Sequence, residues 1–163
     1  ASLLFGLAPH QIDVLIHPQS TIHSLVYYKD GSVLAQLGCA DMRIPIAHGM
    51  AYPERIESGA ESLDLIAMGS LEFFEPDYKR FPCLKLGIDA TRQGGTTPTL
   101  LNAANEIAVA AFLGGQIKFI EIAEINEQVL SKIPCEPASS LAIIRDADSL
   151  ARNITKELIL KKN

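Results

Sequence analysis

Two histidines stand six residues apart in the stretch HPQSTIHSLVYYKDGSVLAQLG, which runs from His17 to Gly38. An imidazole can hold a metal, carry a proton or fix a loop through a hydrogen bond. The spacing, with Pro18 between the two, does not put both rings on one helical face. No cysteine or acidic cluster joins them, so a metal site would be short of ligands. A metalloprotein or His-based hydrolase is therefore the weakest reading. His17 reads as a structural, hydrogen-bonding residue. His23, at the opening of a strand, is placed to reach a cleft.

The other polar candidates have plainer readings. Asp30 precedes Gly31 and reads as turn chemistry. Asp13 reads as surface. Met42 and Met50 read as packing residues, since a thioether fills irregular gaps. His48 belongs to a short helix and is expected to be half exposed. Asn102, Asn105 and Glu106 share one helix with many alanines and are expected to hydrogen-bond to a neighbouring loop. The stretches GLAPHQ and GGTTPT fail both dinucleotide and phosphate-loop spacings. No serine sits in a nucleophile elbow. The residues alone do not compose a complete active site.

The elements that would position these residues follow from pattern. ASLLFG reads as the end of a helix stopped by Gly6. With Ala1 in place of Met, that suggests a chain beginning inside a larger fold. QIDVLIHP predicts a strand from Ile12 to His17. Asp30-Gly31 predicts a two-residue hairpin turn that sets Tyr28 opposite Val33 and Val26 opposite Ala35. Both hairpin faces are then apolar, so both should be covered. DMRIPIAHGMAYP predicts a short helix capped by Asp41. Residues 53–81 have weak periodicity and read as a linker packed along a surface, with SLEFFEP as one short strand.

Beyond Pro82 the pattern is helical. One helix is stopped by Gly94 and Gly95. The next is capped by Thr97, with a stripe of Leu101, Ala104, Ile107, Ala108, Ala111 and Phe112. A third carries Ile122, Ile125, Val129 and Ile133. The last repeats Leu141, Ile144, Ala147, Leu150, Ala151, Ile154 and Leu158 at three- and four-residue spacing. The expected fold class is α+β: a partial sheet with a hairpin, then a four-helix bundle.

Composition limits the function. The chain has 163 residues, 48% of them hydrophobic, which suffices for a packed core. Its formal net charge of −5, with no Lys/Arg cluster, argues against nucleic acid or an anionic membrane as partner. No apolar run approaches the length that spans a bilayer. Cys39, Cys83 and Cys135 are scattered and lack metal-ligand spacing, which fits a reducing compartment.

Three segments together carry a family resemblance. IDVLIHPQSTIHSLVYYKDGSVLAQLGCADMRIPIAHGMAYP, FPCLKLGIDA and LNAANEIAVAAFL, in that order, resemble 1-deoxy-D-xylulose 5-phosphate reductoisomerases over essentially the whole chain. The resemblance implies conversion of 1-deoxy-D-xylulose 5-phosphate to 2-C-methyl-D-erythritol 4-phosphate, in non-mevalonate isoprenoid biosynthesis. It implies NADPH and Mg²⁺ or Mn²⁺ as cofactors, a homodimer joined through the Ile12–Leu37 strands, and a bacterial cytoplasm or plastid-type organelle.

The same resemblance divides the chain. Residues 1–52 are the end of a truncated α/β catalytic and dimerisation domain, 53–81 a linker, and 82–163 a C-terminal helical domain. The family's dinucleotide domain and its DSE and NKGLE segments, which bring the acidic metal ligands, are not in this sequence. The chain is therefore expected to bind neither cofactor and to be inactive alone. His23 matches the second histidine of the HPQSxxH motif and is implied to face lid and substrate. Met42 matches a methionine implied to lie near the nicotinamide. CADM places Ala40 where the family has proline, which leaves the loop under the lid less stiff. The competing reading, from another class, is a free-standing dimerisation or interaction module without catalysis.

Overall fold

A computed structural model describes residues 1–162, apart from the Leu3 side chain. It contains a two-stranded hairpin followed by a helical bundle, the α+β class that the sequence predicts. The chain separates into two compact units, Val14–Pro76 and Ala1–Asp13 with Asp77 onward.

In the first unit, β1 (Ile22–Tyr27) and β2 (Val33–Leu37) pair antiparallel. The turn is longer than the expected two residues. Lys29–Gly31 form the loop, Tyr28 N donates to Ser32 O at 2.9 Å, and Gly31 N donates to Tyr28 O at 3.1 Å. Gly31 has φ +87° while Asp30 does not adopt a positive φ, so the mirror-image two-residue turn does not form. Asp30 Oδ1 accepts from Ser32 N at 2.9 Å and Ser32 Oγ at 2.6 Å, which holds a type I turn followed by a left-handed glycine. The register consequently slips by one: Tyr27 faces Val33, Val26 faces Leu34, and Leu25 faces Ala35. A slip of one exchanges the faces of one strand relative to the other.

Among the described residues of this unit, the expected covering of those faces is not found. Val26, Tyr27 and Leu34 are 52%, 69% and 62% exposed. The expected strand from Ile12 to His17 does not form either. Pro9–Gln11 make a short 3-10 turn, and only Ile16 pairs, with Phe74, through two bonds of 2.9 Å. That single bridge is also all that remains of the strand expected in SLEFFEP. With one partner residue each, neither segment builds a ladder.

α2 (Arg43–Ala51) follows the hairpin. Met42, not the expected Asp41, takes the N-cap position, without a side-chain cap; Asp41, one residue earlier, accepts from Arg43 N through Oδ1 at 2.9 Å. α3 (Leu65–Met68) is a single turn that weak periodicity hid. Asp64 Oδ1 caps it, accepting from Ile66 N at 2.9 Å and Ala67 N at 3.0 Å.

The second unit opens with the one-turn α1 (Ser2–Phe5), ended by Gly6 at φ +63°. Its body is α4 (Pro82–Gln93), α5 (Thr97–Leu113), α6 (Phe119–Lys132) and α7 (Leu141–Leu160). α5 packs against the other three. Its buried alanines Ala103, Ala104, Ala108 and Ala111 let neighbours approach from several sides. That also explains why the buried stripe includes Leu100, whereas Leu101 is only half-buried. On α6 the expected Ile122, Ile125 and Val129 are buried, as is Ile133 at its C-cap. On α7, Leu141 and Leu150 are exposed, and Thr155 takes a core position by donating its hydroxyl to Ala151 O at 2.7 Å. The hydroxyl is thereby satisfied one turn back, so its burial leaves no orphan.

Candidate functional site

The HPQS segment is a turn that ties two parts of the first unit together. Ser20 N donates to His17 O at 3.0 Å, and Ser20 takes φ +50°. His17 Nδ1 donates to Glu72 O at 2.8 Å, and its ring stacks on Phe73 with centroids 5.0 Å apart. Gln19 Nε2 donates to Glu72 Oε2 at 3.0 Å, while Gln19 Oε1 accepts from Glu72 N at 3.3 Å. His17 therefore has the hydrogen-bonding role its sequence setting suggests.

His23 is placed differently. The register between Ile22↔Leu37 and Ser24↔Gln36 leaves His23 as an extra residue, a β-bulge. Bulges turn a side chain out of the regular alternation. Gln36 Nε2 donates to Leu37 O at 3.1 Å, which turns Gln36 Oε1 toward the ring at 3.2 Å from His23 Nδ1. An amide oxygen only accepts, so Nδ1 carries the proton and Nε2 of the neutral ring is an acceptor. The residue is exposed. Its Cε1 and the Ile44 Cδ1 of α2 both stand 3.8 Å from where a β-carbon on Gly38 would lie. Glycine at 38 leaves that space free, so the ring and the head of α2 share one neighbourhood.

Met42 sits at that head and is 70% exposed, so packing is not its role within this chain. The residues around it are held firmly. Arg43 Nη2 meets Asp41 Oδ2 at 2.6 Å, and Arg43 Nη1 donates to Gly59 O at 2.7 Å. The Arg43 side chain and N–H hold the Asp41 carboxyl below its ordinary range. Ala40, one residue earlier, is exposed.

A separate cleft of about 280 Å³ lies in the helical unit, among α4, α5 and α6. Here Asn126 Nδ2 donates to Asn105 Oδ1 at 3.0 Å. Asn102 Nδ2 donates to Glu106 Oε1 at 3.1 Å, and Arg152 Nη2 to Glu106 Oε2 at 2.6 Å. The asparagines and Glu106 thus bond to residues on α5, α6 and α7, not to a loop as their sequence setting suggested. Asn126 is fully buried, and nothing in its own segment marked it as a polar core residue. Only its place at the i+4 position after Ile122, on a stripe of buried residues, was legible. Among the described residues, no three His, Cys, Asp or Glu side chains gather as metal ligands. No described helix is long and apolar enough to cross a membrane.

Comparison with known proteins covers nearly all of the chain. Residues 37–154 match the family model "DXP reductoisomerase C-terminal domain". The chain is 57% identical over 157 residues to a 1-deoxy-D-xylulose 5-phosphate reductoisomerase of Cupriavidus necator, covering 96% of this chain and 40% of that protein. It is 55% identical over 159 residues to one from Dechloromonas aromatica, with 98% and 40% covered. Among solved structures, the reductoisomerase of Zymomonas mobilis in complex with NADPH superposes with a TM-score of 0.91 at 46% identity, over 98% of this chain and 42% of that one. A reductoisomerase in complex with NADPH, fosmidomycin and magnesium gives 0.92 at 46% identity, over 98% and 41%. The chain therefore spans about 40% of the length of the curated relatives it matches.

Proposed function

Because the chain belongs to the 1-deoxy-D-xylulose 5-phosphate reductoisomerase family, we propose that it forms the C-terminal part of an enzyme with that activity. The reaction is conversion of 1-deoxy-D-xylulose 5-phosphate to 2-C-methyl-D-erythritol 4-phosphate, and the compartment is the bacterial cytoplasm. NADPH would supply the hydride, and Mg²⁺ or Mn²⁺ would be held by acidic ligands that this sequence does not contain. The observation that carries the reading is the 57% identity sustained over 157 residues.

Within that enzyme, the chain's own residues have limited tasks. His23 presents Nε2 to the substrate, where the ring can accept a proton from a hydroxyl or, charged, face a phosphate. Gln36 holds the ring in that tautomer. Met42 supplies an apolar surface at the head of α2 for the nicotinamide. Residues 1–52 close the catalytic and dimerisation domain, 53–81 link, and 82–163 form the helical domain. The start of α4 at Pro82 supports the last boundary. The Ile12–Leu37 segment joins two subunits through the hairpin.

A chimera tests this directly. The 157-residue stretch of the Cupriavidus necator enzyme that matches this chain is replaced by it, and NADPH oxidation with substrate and Mn²⁺ is followed. Turnover is expected from the chimera and none from the 163-residue chain alone. A folded, soluble chimera without turnover would sink the proposal in favour of a non-catalytic module. Turnover by the isolated chain would overturn the assigned division of labour.

A further inference from the structure

The cleft among α4, α5 and α6 has two features that packing does not explain. Gly87 lines it from the interior of α4. Glycine inside a helix is unfavourable relative to alanine. A β-carbon at this position would meet nothing within 4 Å, so no neighbour requires the glycine. What the missing side chain leaves is open space in the cleft.

Asn126 is the second. It lines the same cleft and is fully buried on the apolar stripe of α6. Its Nδ2 donates to Asn105 Oδ1 at 3.0 Å and to Cys83 Sγ at 3.8 Å, yet its Oδ1 has no partner. A buried acceptor left unpaired is unfavourable, and an apolar residue would avoid the cost. What the asparagine provides is a fixed orientation for Asn105.

Asn102 is fixed as well. It lies three residues before Asn105, on the same face of α5. Its Nδ2 donates to Glu106 Oε1 at 3.1 Å, and Glu106 Oε2 is held in turn by Arg152 Nη2 at 2.6 Å. A carboxylate only accepts, so the Asn102 amide must turn its nitrogen to Glu106. Each asparagine is thus pinned by one end. Among the described residues, Asn102 Oδ1 and Asn105 Nδ2 take no other partner, which leaves one acceptor and one donor side by side.

We propose that this cleft is a binding site for a small uncharged carboxamide. The ligand N–H donates to Asn102 Oδ1 and its carbonyl accepts from Asn105 Nδ2, while its apolar part lies against Ala90, Pro98 and Leu101. The described lining residues carry no charge, so an ionised ligand would find no counter-ion there. The volume of about 280 Å³ lies at the small end of ligand pockets, which begin near about 300 Å³, and sets the ligand at fragment size. The site lies wholly within the helical unit and does not rest on the reductoisomerase reading.

The test uses the ¹⁵N-labelled 163-residue chain and benzamide as probe. Benzamide at about 10 mM, where a fragment of ordinary ligand efficiency is bound, is expected to shift the side-chain amide signals of Asn102 and Asn105. N,N-dimethylbenzamide lacks the N–H, and benzoate is charged and only accepts. Both should bind at least about threefold more weakly, the factor that one hydrogen bond commands. Gly87→Leu should fill the cleft and abolish the response with helicity retained. No shift with benzamide, an equal response to all three compounds, or an unaltered response in folded Gly87→Leu overturns the proposal. Binding by the chain that is lost in the chimera also overturns it, because another segment of the enzyme then fills the cleft.

Discussion

His23 Nδ1 donates to Gln36 Oε1 at 3.2 Å, at the bulge that His23 itself makes in β1. The contact selects one tautomer and leaves the other ring nitrogen as an acceptor. In the chimera, His23→Ala is expected to lower kcat/KM about tenfold or more. One cleft hydrogen bond is worth about 1–2 kcal/mol, and about 1.4 kcal/mol is a factor of ten. Unchanged kinetics in a folded variant would return His23 to a structural role.

Gln36→Leu removes the amide and with it the tautomer control. Ring ¹⁵N shifts should place the proton on Nδ1 in the unaltered chain and divide it between the nitrogens in the variant. A purely structural Gln36 would leave those shifts alone. The same substitution should cost activity in the chimera, but less than His23→Ala does.

Much of this arrangement was legible in the sequence, and the failures have physical causes. The helices of the second unit follow apolar periodicity and Gly/Pro stops, which are local signals. The HPQS resemblance singled out His23, which is exposed at the bulge of β1. The bulge and the Gln36 contact depend on register, and register turned on one turn residue. Asp30-Gly31 suits both a two-residue and a three-residue loop; the Asp30 contacts to Ser32 decide between them, and they are visible only in three dimensions. The strand expected at Ile12–His17 failed for a different reason. Its apolar residues favour extension, but a strand also needs a partner ladder, and the chain gives only Phe74. Asn126 was missed because a polar residue on a buried stripe is understood only from its neighbours Asn105 and Cys83.

The core lies wholly in the helical unit, so substitutions should divide accordingly. Ile125 is fully buried, and Leu34 is mostly exposed. Ile125→Ala is expected to cost about 2–5 kcal/mol through lost burial and the cavity left behind. Leu34→Lys should change the stability of the helical unit, whose core does not include it, by less than about 0.5 kcal/mol. Urea unfolding followed by circular dichroism at 222 nm measures both. Comparable losses would mean that the hairpin is packed against something the exposures do not reveal.

Acid should weaken the helical unit before neutral pH does. The Arg152 side chain, then the Asn102 amide, hold the Glu106 carboxyl below its ordinary range; Lys118 N–H, then Lys162, do so for Glu121. A carboxyl depressed by folding adds stability that is fully present above its unfolded value, about 4.3, and is lost as pH falls through the folded value. Melting temperature should therefore be level between about pH 6 and 8 and fall below about pH 4.3. Glu106→Gln with Glu121→Gln should flatten that fall. Lys162, raised by Glu121 and then Glu124, adds an opposite limb: its contribution is present below the unfolded value of about 10.4 and is lost as pH rises through the folded one. An acid limb unchanged in the double variant would mean that other groups set it.

The exposed hairpin leads to the last prediction, on assembly. Val26 and Leu34 face one another on one side of the sheet, with Tyr27 on the other, and all three are mostly exposed. An apolar patch of several hundred Å² is unusual on a soluble monomer, and an open strand edge can pair with another chain. The chain is therefore expected to run as a homodimer or larger in light scattering at micromolar concentration. Lysine at an apolar interface brings a charge that must be desolvated, and two copies bring like charges together across a two-fold axis. Val26→Lys with Leu34→Lys should shift the mass toward 17.7 kDa, the monomer. The helical unit should stay folded in that variant, because its core includes neither residue. A monomer mass in the unaltered chain, or an unchanged dimer in the double variant, would show that the hairpin does not join two copies.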